Sequence, residues 1–493
     1  MNVDLHAVAD GSIPQFTLTL ADGNQLDCLQ VVRRVPGRRV VCRARWSGKA
    51  VYAKIFLGKG AARYAQRDQR GALSLAAAGI ATPELLHAGA LPAEAAQVLL
   101  YAEVAEAISA DQAWSRSDVT DRSKLAFGLV REVALHHQAG LLQTDLYLKN
   151  FLVQGSVIYT LDGDGIRPLP RLFSRGAELQ NLAILLGKLD VLDVWPLLPA
   201  LLDQYARLRG WQQSPSLAKM KHMMAKQRYD LAQGYAQRKV LRQCSDVNVQ
   251  VSSKRFLAIS RDSDTPALRA SLETPDRCLD ANHVRLKSGN TCTVSLIQLG
   301  ALNIVVKRYN IKNFWHGLNR ALRNTRAAAS WSNAYRLHLL GVATPEPVAL
   351  LEQRIGCIRR EAYFLAKYVD APDVAQYFAA ETDGLQSQAT ALEVARLFYQ
   401  LYLLGIVHGD FKSTNMKIVH GKPMLIDLDS MRQYAPGVLS ELRFRRGHVR
   451  DLRRFLRNWQ PGAVVLDELQ QAFVMTYKEP AVLLAAGINT KKI

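Results

Sequence analysis

Two short apolar runs alternate in the manner of β-strands and close near a lysine. They are KAVYAKIF (49–56) with Lys54 and LNIVVKRY (302–309) with Lys307. A helical pattern follows each and stops at a glycine. LAAAGIATPELL (75–86) stops at Gly79 and LHLLGVATPEPV (337–348) at Gly341, with turns marked by Pro83 and Pro345 just beyond. Strand-like segments, AQVLLYAEV and AYFLAKYV, come next, then another helical stretch, then a polar loop. The predicted order is therefore the same in both halves: lysine strand, helix, strands, helix, loop, short strand, aspartate.

The two loops share their spacing as well as their order. The second reads HGDFKSTN (408–415) and runs into MKIVHGKPMLIDLDS. The first reads LLQTDLYLKNFLVQGSVIYTLDGD (141–164). Asp145 precedes Asn150 as Asp410 precedes Asn415, and Asn150 precedes Asp162 as Asn415 precedes Asp427. Repetition of order and spacing together reads as tandem duplication. The break is expected near 240–265, which gives units 1–245 and 246–493. QRYDLAQGYAQRKVLRQCSD (227–246) is then a basic terminal helix of the first unit. Each unit has the size of one α+β domain, single or two-lobed.

The loop residues match the needs of phosphoryl transfer. A cation holds the nucleotide phosphates, oxygen ligands hold Mg²⁺, and a carboxylate orients the attacking hydroxyl and takes its proton. In the second unit Asp410 is the expected base, Lys412 faces the transferring phosphoryl, Asn415 and Asp427 ligate metal, and Lys307 pairs the phosphates of ATP. In the first unit Asp145, Asn150, Asp162 and Lys54 take the same places. Asp429 and Asp164 compete with Asp427 and Asp162 as ligands. The plainer readings are an Asx-type turn for Asp410 and Asn415 and a strand-end cap for Asp427.

Composition adds a partner class. Apolar content of 49% and charged content of 22% are ordinary for a globular chain, but the formal net charge is +20. That excess favours anionic partners. It is concentrated in NIKNFWHGLNRALRNTR (310–326) and ELRFRRGHVRDLRRFLRNW (441–459). In the latter, Leu452, Phe455, Leu456 and Trp459 share one helical face, and Arg450, Arg453, Arg454 and Arg457 lie largely on others. Such a helix either docks on anionic headgroups or glycolipid phosphates, or is a core helix with a solvated basic face. Aromatic residues beside positive charge can also stack on bases, but no nucleic-acid-binding module is present, so nucleic acid is not an expected partner. The six cysteines show no C-x-x-C spacing. The N-terminus lacks an apolar leader and no run reaches about eighteen apolar residues, so a cytosolic protein with at most peripheral membrane contact is expected.

On these residues the chain resembles two tandem copies of the lipopolysaccharide kinase family, the Kdo/heptose kinases of the WaaP and KdkA type. The matching residues are Lys307, LLGVATPEP, GIVHGDFKSTN and LIDLD in the second copy, and Lys54, AAGIATPE, GLLQTDLYLKN and TLDGDG in the first. The resemblance covers roughly residues 30–245 and 280–460. It implies a protein-kinase-like fold in each copy, with a small β-rich lobe and a larger helical lobe. It also implies ATP- and Mg²⁺-dependent phosphorylation of a sugar hydroxyl, heptose foremost, on the lipopolysaccharide inner core. The place implied is the cytoplasmic face of the inner membrane of a Gram-negative bacterium.

The copies depart from the pattern in different places. Protein kinases pair the strand lysine with a helix acid. Asp68 fits that role in the first copy, whereas the second offers only Ser330, Ser332 and Asn333. The first copy has Gln143 for His408 and Tyr147 for Lys412, with Lys149 as a possible substitute. Asp451 and Glu178 are candidates to brace the loops from behind. LKSGNTCTV (286–294) and RVPGRRVV (34–41) are candidate phosphate-covering turns. The second copy is the better expected catalyst. The rival readings are a protein Ser/Thr or small-molecule kinase, and an inert pseudokinase scaffold that binds an anionic glycolipid or protein. Nothing in the sequence speaks to oligomeric state.

Overall fold

The computed structural model describes residues 8, 15–35, 37–91, 96–276, 284–289, 292–300, 302–309, 324–356, 358–381 and 383–489. Helix and strand are mixed throughout. The chain forms two compact units, one of Met1–Leu189 with Asp193–Met224, the other of Asp190–Leu192 with Ala225–Ile493.

The first unit opens with an antiparallel sheet in the order Phe16–Thr19, Gln25–Val35, Arg39–Trp46, Lys49–Phe56, Ala96–Ala102, Leu85–Leu91. The period of two puts Val51, Ala53 and Ile55 on one face, in a core with Leu26, Val40, Val98 and Leu100, and leaves Lys54 on the other. Against that second face lies the helix Ala61–Ala77, which buries Ala65, Asp68, Ala72 and Leu75. Gly79 ends it at φ +69°, and Ile80 N–H reaches back to the Leu75 carbonyl at 3.0 Å, so the glycine stop read from the sequence is a left-handed cap. A helical part follows, built on Val119–Gln138, Ser174–Lys188 and Val191–Leu208 around Leu129, Val133, Phe151, Leu186 and Tyr205. Burying each such side chain contributes about 1.5–3 kcal/mol.

The second unit repeats the scheme. Its sheet runs Val247–Val251, Arg255–Ser260, Pro347–Ile355, Ile358–Lys367, Leu302–Tyr309, Cys292–Leu299, Val284–Gly289. Five strands correspond in order to five of the first sheet; each unit adds its own extra strands at an edge. Thr325 caps the helix Arg326–Leu339 by accepting from Ala328 N–H at 3.0 Å, and Gly341 at φ +71° closes it. The helical part is organised by aromatics. Phe398 stacks on Phe411 with centroids 4.2 Å apart, and Phe455 and Phe473 pack around it.

The break between units falls at Met224/Ala225, inside the helix Leu217–Gln237, and not at 245/246 as the sequence suggests. The reason is packing. Trp331 is fully buried and donates its indole N–H to the Val240 carbonyl at 3.0 Å, and Tyr235 meets the Tyr335 ring. The basic stretch after Met224 thus belongs to the second unit. Of the basic segment 310–326, residues 310–323 lie outside the described residues, as do positions 290–291 and 36 of the two candidate covering turns. Among the described residues, no helix is long and apolar enough to cross a membrane.

Candidate functional site

In the second unit a tight hairpin, Met416–Val419 with Lys422–Leu425, returns the chain so that Ile426 N–H bonds the Asn415 carbonyl at 3.0 Å. This brings Asp427 beside the loop. Within the loop the Asn415 amide donates to the Asp410 carbonyl at 2.8 Å. His408 is fully buried and bonds the Ile426 carbonyl through Nε2 at 3.0 Å, and burial pushes its pKa down, so it is a neutral strut. Behind the loop, Asp451 accepts the backbone N–H groups of His408 at 2.8 Å and Gly409 at 3.1 Å. Gly409 sits at φ +84°, and a Cβ there would lie 2.9 Å from the Ser430 carbonyl oxygen, so this position requires glycine.

Asp427 stands in the left-handed region at φ 62°, ψ 59°. For a non-glycine residue that costs roughly 1–3 kcal/mol and marks a functional constraint. Its carboxylate meets Lys307 at 2.9 Å. Burial pushes this carboxyl up, but the Lys307 ammonium, with smaller help from neighbours that include Arg326, holds it below its ordinary value. The neighbouring Asp429 turns the other way and pairs with Arg326 at 2.5 Å. The two acids that the sequence could not separate thus have different partners. Ser330, at the place of Asp68, bonds Tyr309 at 3.0 Å, and Asn333 donates to the Leu428 and Met431 carbonyls at 2.8 and 3.0 Å. Neither replaces the missing helix acid; Lys307 is positioned by Asp427.

Asp410 lies between two cations, Arg454 at 2.5 Å and Lys412 at 3.3 Å. Asp410, Asn415, Asp427 and Lys307 all line one cavity of about 670 Å³, whose walls also include Val294, Val305, Phe364, Ala366 and Ile426. A cavity lined by both apolar side chains and a cation with acids suits a planar base carrying phosphates.

The first unit places its residues in the same relation. Asn150 donates to the Asp145 carbonyl at 2.9 Å, and Leu161 N–H bonds the Asn150 carbonyl at 2.8 Å. Asp162 is left-handed too, at φ 60° and ψ 72°. Gln143 does the work of His408: its amide donates to the Leu161 and Asp162 carbonyls at 3.2 and 3.3 Å. Here the helix acid is present. Lys54 meets Asp68 at 2.8 Å and Asp162 at 3.5 Å, while Arg67 pairs with Asp164. Burial pushes the Asp68 carboxyl up, against the pull of Lys54. The helix approaches so closely that a Cβ on Gly71 would lie 2.0 Å from the Gly163 carbonyl oxygen. Glu178 does not brace the loop; it is held by Arg209 at 3.0 Å and Tyr205 at 3.1 Å, and Asn181 instead donates to the Gln143 carbonyl at 2.9 Å. Among the described residues Lys149 makes no ion pair with Asp145 like that of Lys412 with Asp410. Its ammonium lies 5.3 Å from the Tyr147 ring centroid, while Lys188 covers that ring at 3.3 Å.

Among the described residues no three or more His, Cys, Asp or Glu side chains are placed to hold a metal ion together. Mg²⁺ instead takes one or two carboxylates plus substrate phosphates and water. Asp427 and Asn415 fit that need: one Asp427 oxygen engages Lys307 and the other has no protein cation on it among the described residues. In the first unit Asp162 has a second cation, Arg39 at 3.5 Å, and the fit is poorer.

Sequence reasoning missed Arg454, Lys188, Arg39 and the threonines of the repeated ATP triplet. Thr344 Oγ1 donates to the Leu425 carbonyl at 2.8 Å and Thr82 to the Thr160 carbonyl at 2.9 Å, tying each helix end to the strand before the left-handed aspartate. The triplet's recurrence was the available signal.

Residues 279–477 match the Lipopolysaccharide kinase (Kdo/WaaP) family. The resemblance read from the sequence is borne out over that span, which lies in the second unit. A 3-deoxy-D-manno-octulosonic acid kinase of Actinobacillus succinogenes is 26% identical over 152 residues, 29% of this chain and 62% of the relative. The chain thus spans less than two thirds of the length of that relative. A solved structure of vaccinia related kinase 3 is 12% identical, over 45% of this chain and 87% of the other, with a TM-score of 0.29, too low to argue from.

Proposed function

We propose that the second unit transfers the γ-phosphoryl group of ATP to a hydroxyl of a lipopolysaccharide inner-core sugar. On this reading the chain is two tandem protein-kinase-like domains, each with a small β-rich lobe and a larger helical lobe. The observation that carries it is the presence of Lys307, Asp427, Asn415 and Asp410 in the lining of one cavity. Lys307 holds the nucleotide phosphates. Asp410 accepts the proton of the acceptor hydroxyl as that oxygen bonds to the γ-phosphorus and the bond to the β-phosphate oxygen breaks, releasing ADP. Lys412 offsets charge on the transferred group. Asp427 and Asn415 would hold Mg²⁺, which supplies charge neutralisation on the phosphates.

Heptose is the acceptor expected from the sequence; the relative's name favours 3-deoxy-D-manno-octulosonic acid instead. Work at an anionic membrane surface is supported by the helix Val438–Leu456, which exposes Val438, Leu439 and Leu442 beside Arg443, Arg446 and Arg450.

The test is ADP release with ATP, Mg²⁺ and dephosphorylated core acceptors ending in either sugar. The intact protein is compared with Asp410→Ala, Asp145→Ala and the double variant. Loss with Asp410→Ala alone makes the second unit the kinase; partial loss with each means two working sites. No turnover on any core acceptor, with ATP still bound, sinks the acceptor assignment and leaves the scaffold reading.

A further inference from the structure

We propose that the first unit binds a nucleoside triphosphate without a divalent ion, with Arg39 supplying the positive charge that the second unit must take from a metal. The inference rests on the reading of both units as kinase-like nucleotide sites and concerns the one that reading leaves without a defined role.

Strand register makes the comparison direct. Lys54 pairs across the sheet with Val41, and Arg39 pairs with Phe56. Lys307 pairs with Val294, and Cys292 pairs with Tyr309. Arg39 and Cys292 therefore hold equivalent places, two residues before the strand partner of the phosphate lysine. In the second unit that place carries no cation, and Asp427 has Lys307 as its ion-pair partner. In the first, Arg39 reaches across to the same Asp162 oxygen that Lys54 meets, each at 3.5 Å. Both the Arg39 and Asp162 side chains are only 15% exposed, so the contact is screened from bulk water.

Charge balance follows from these pairs. Asp68 and Asp162 face Lys54 and Arg39, and Asp164 is taken by Arg67. A divalent ion entering beside Asp162 would meet two fixed cations on one carboxylate oxygen. A polyphosphate entering there would compete with Asp68 and Asp162 for a lysine and a guanidinium, whose planar fork suits phosphate oxygens. Arg39 pairs with Val35 directly after the turn residues Gly37 and Arg38, so it comes from the same side as a phosphate-covering turn would.

The experiment uses the full chain carrying Lys307→Ala, which disables the nucleotide site of the second unit. Binding of ATP is measured by titration calorimetry in Mg²⁺ and in EDTA. The expected result is one remaining site whose affinity changes less than about threefold on removing Mg²⁺. Adding Arg39→Cys, the residue of the second unit, should weaken binding in EDTA at least tenfold and make it Mg²⁺-dependent, whereas Arg39→Lys should keep most of it. Arg39→Cys alone, with ADP release by the second unit and far-UV circular dichroism retained, excludes misfolding as the cause. A remaining site that vanishes in EDTA, no remaining site, or an Arg39→Cys variant that binds unchanged each overturns the proposal. One Mg²⁺-dependent site in the intact protein and none with Lys307→Ala would overturn it while leaving the kinase reading of the second unit in place.

Discussion

Arg454 lies 2.5 Å from the carboxylate of Asp410, and the pair ties the helix Val438–Leu456 to the loop that carries the candidate base. Lys412 sits on the other oxygen at 3.3 Å. An acceptor hydroxyl that takes the place of Arg454 on the carboxylate frees its guanidinium. The freed guanidinium can then pair with an anionic group of an acidic or phosphorylated acceptor. We expect Arg454→Gln to raise KM for the acceptor about tenfold or more, the scale of losing a charge-assisted hydrogen bond, and to leave KM for ATP within about twofold. Steady-state kinetics with both substrates varied check this. An unchanged acceptor KM would make Arg454 a structural partner of the loop only.

His408 and Gln143 perform one task by different chemistry: each bonds the carbonyl before the left-handed aspartate. His408→Gln should therefore cost less than about 1 kcal/mol, while His408→Ala strands the buried Ile426 carbonyl and should cost roughly 1–3 kcal/mol. Denaturant unfolding of the two variants gives the comparison. Equal losses would mean that the imidazole acts through packing and not through its hydrogen bond.

Much of this site was legible because the same loop pattern occurs twice in the sequence. Asp145, Asn150 and Asp162 recur at the spacing of Asp410, Asn415 and Asp427, Lys54 and Lys307 share a place in the order of elements, and Asp68 follows from aligning the ATP triplets. The division of labour between Asp427 and Asp429 was not legible. It depends on Arg326, more than a hundred residues earlier, and on a left-handed backbone that periodicity does not encode. Arg454, Lys188 and Arg39 stayed hidden for the same reason: each comes from an element distant in sequence from the acid it faces. The boundary was misplaced because the helix Leu217–Gln237 continues through it, and helical periodicity carries no record of which core each turn joins.

The glycine pair of the first unit sets a strict steric condition. A Cβ on Gly71 would fall 2.0 Å from the Gly163 carbonyl oxygen, a backbone atom that cannot swing away. Gly71→Ala should push the helix Ala61–Ala77 off the turn after Asp162, separate Lys54 from Asp162, and destabilise the first unit by about 3 kcal/mol or more. Gly234→Ala is the control. That glycine is helical, and a Cβ added there would meet no atom within 4 Å, so alanine should stabilise by up to about 1 kcal/mol. Thermal unfolding of both variants tests the contrast, and a harmless Gly71→Ala would show that the helix does not seat this closely.

Lys188 gives the first unit a pH response. Its ammonium lies over the Tyr147 ring, and burial pushes its pKa down to about 8, with Lys149 adding to the effect and Asp145 opposing it. The unfolded chain keeps this lysine protonated to near its ordinary value of 10.5. Between pH 8 and 10.5 the unfolded state therefore binds more protons than the folded one, so the contribution of Lys188 to stability rises with pH across that window. Below the window the buried charge is a standing cost. Lys188→Met should stabilise the protein at pH 7 by roughly 1–3 kcal/mol, and the gain should shrink as pH rises and vanish above the window. Denaturant unfolding of both proteins from about pH 7 to above the window measures this. A gain independent of pH would mean that the methionine improves packing alone and that Lys188 keeps an ordinary pKa in the folded protein.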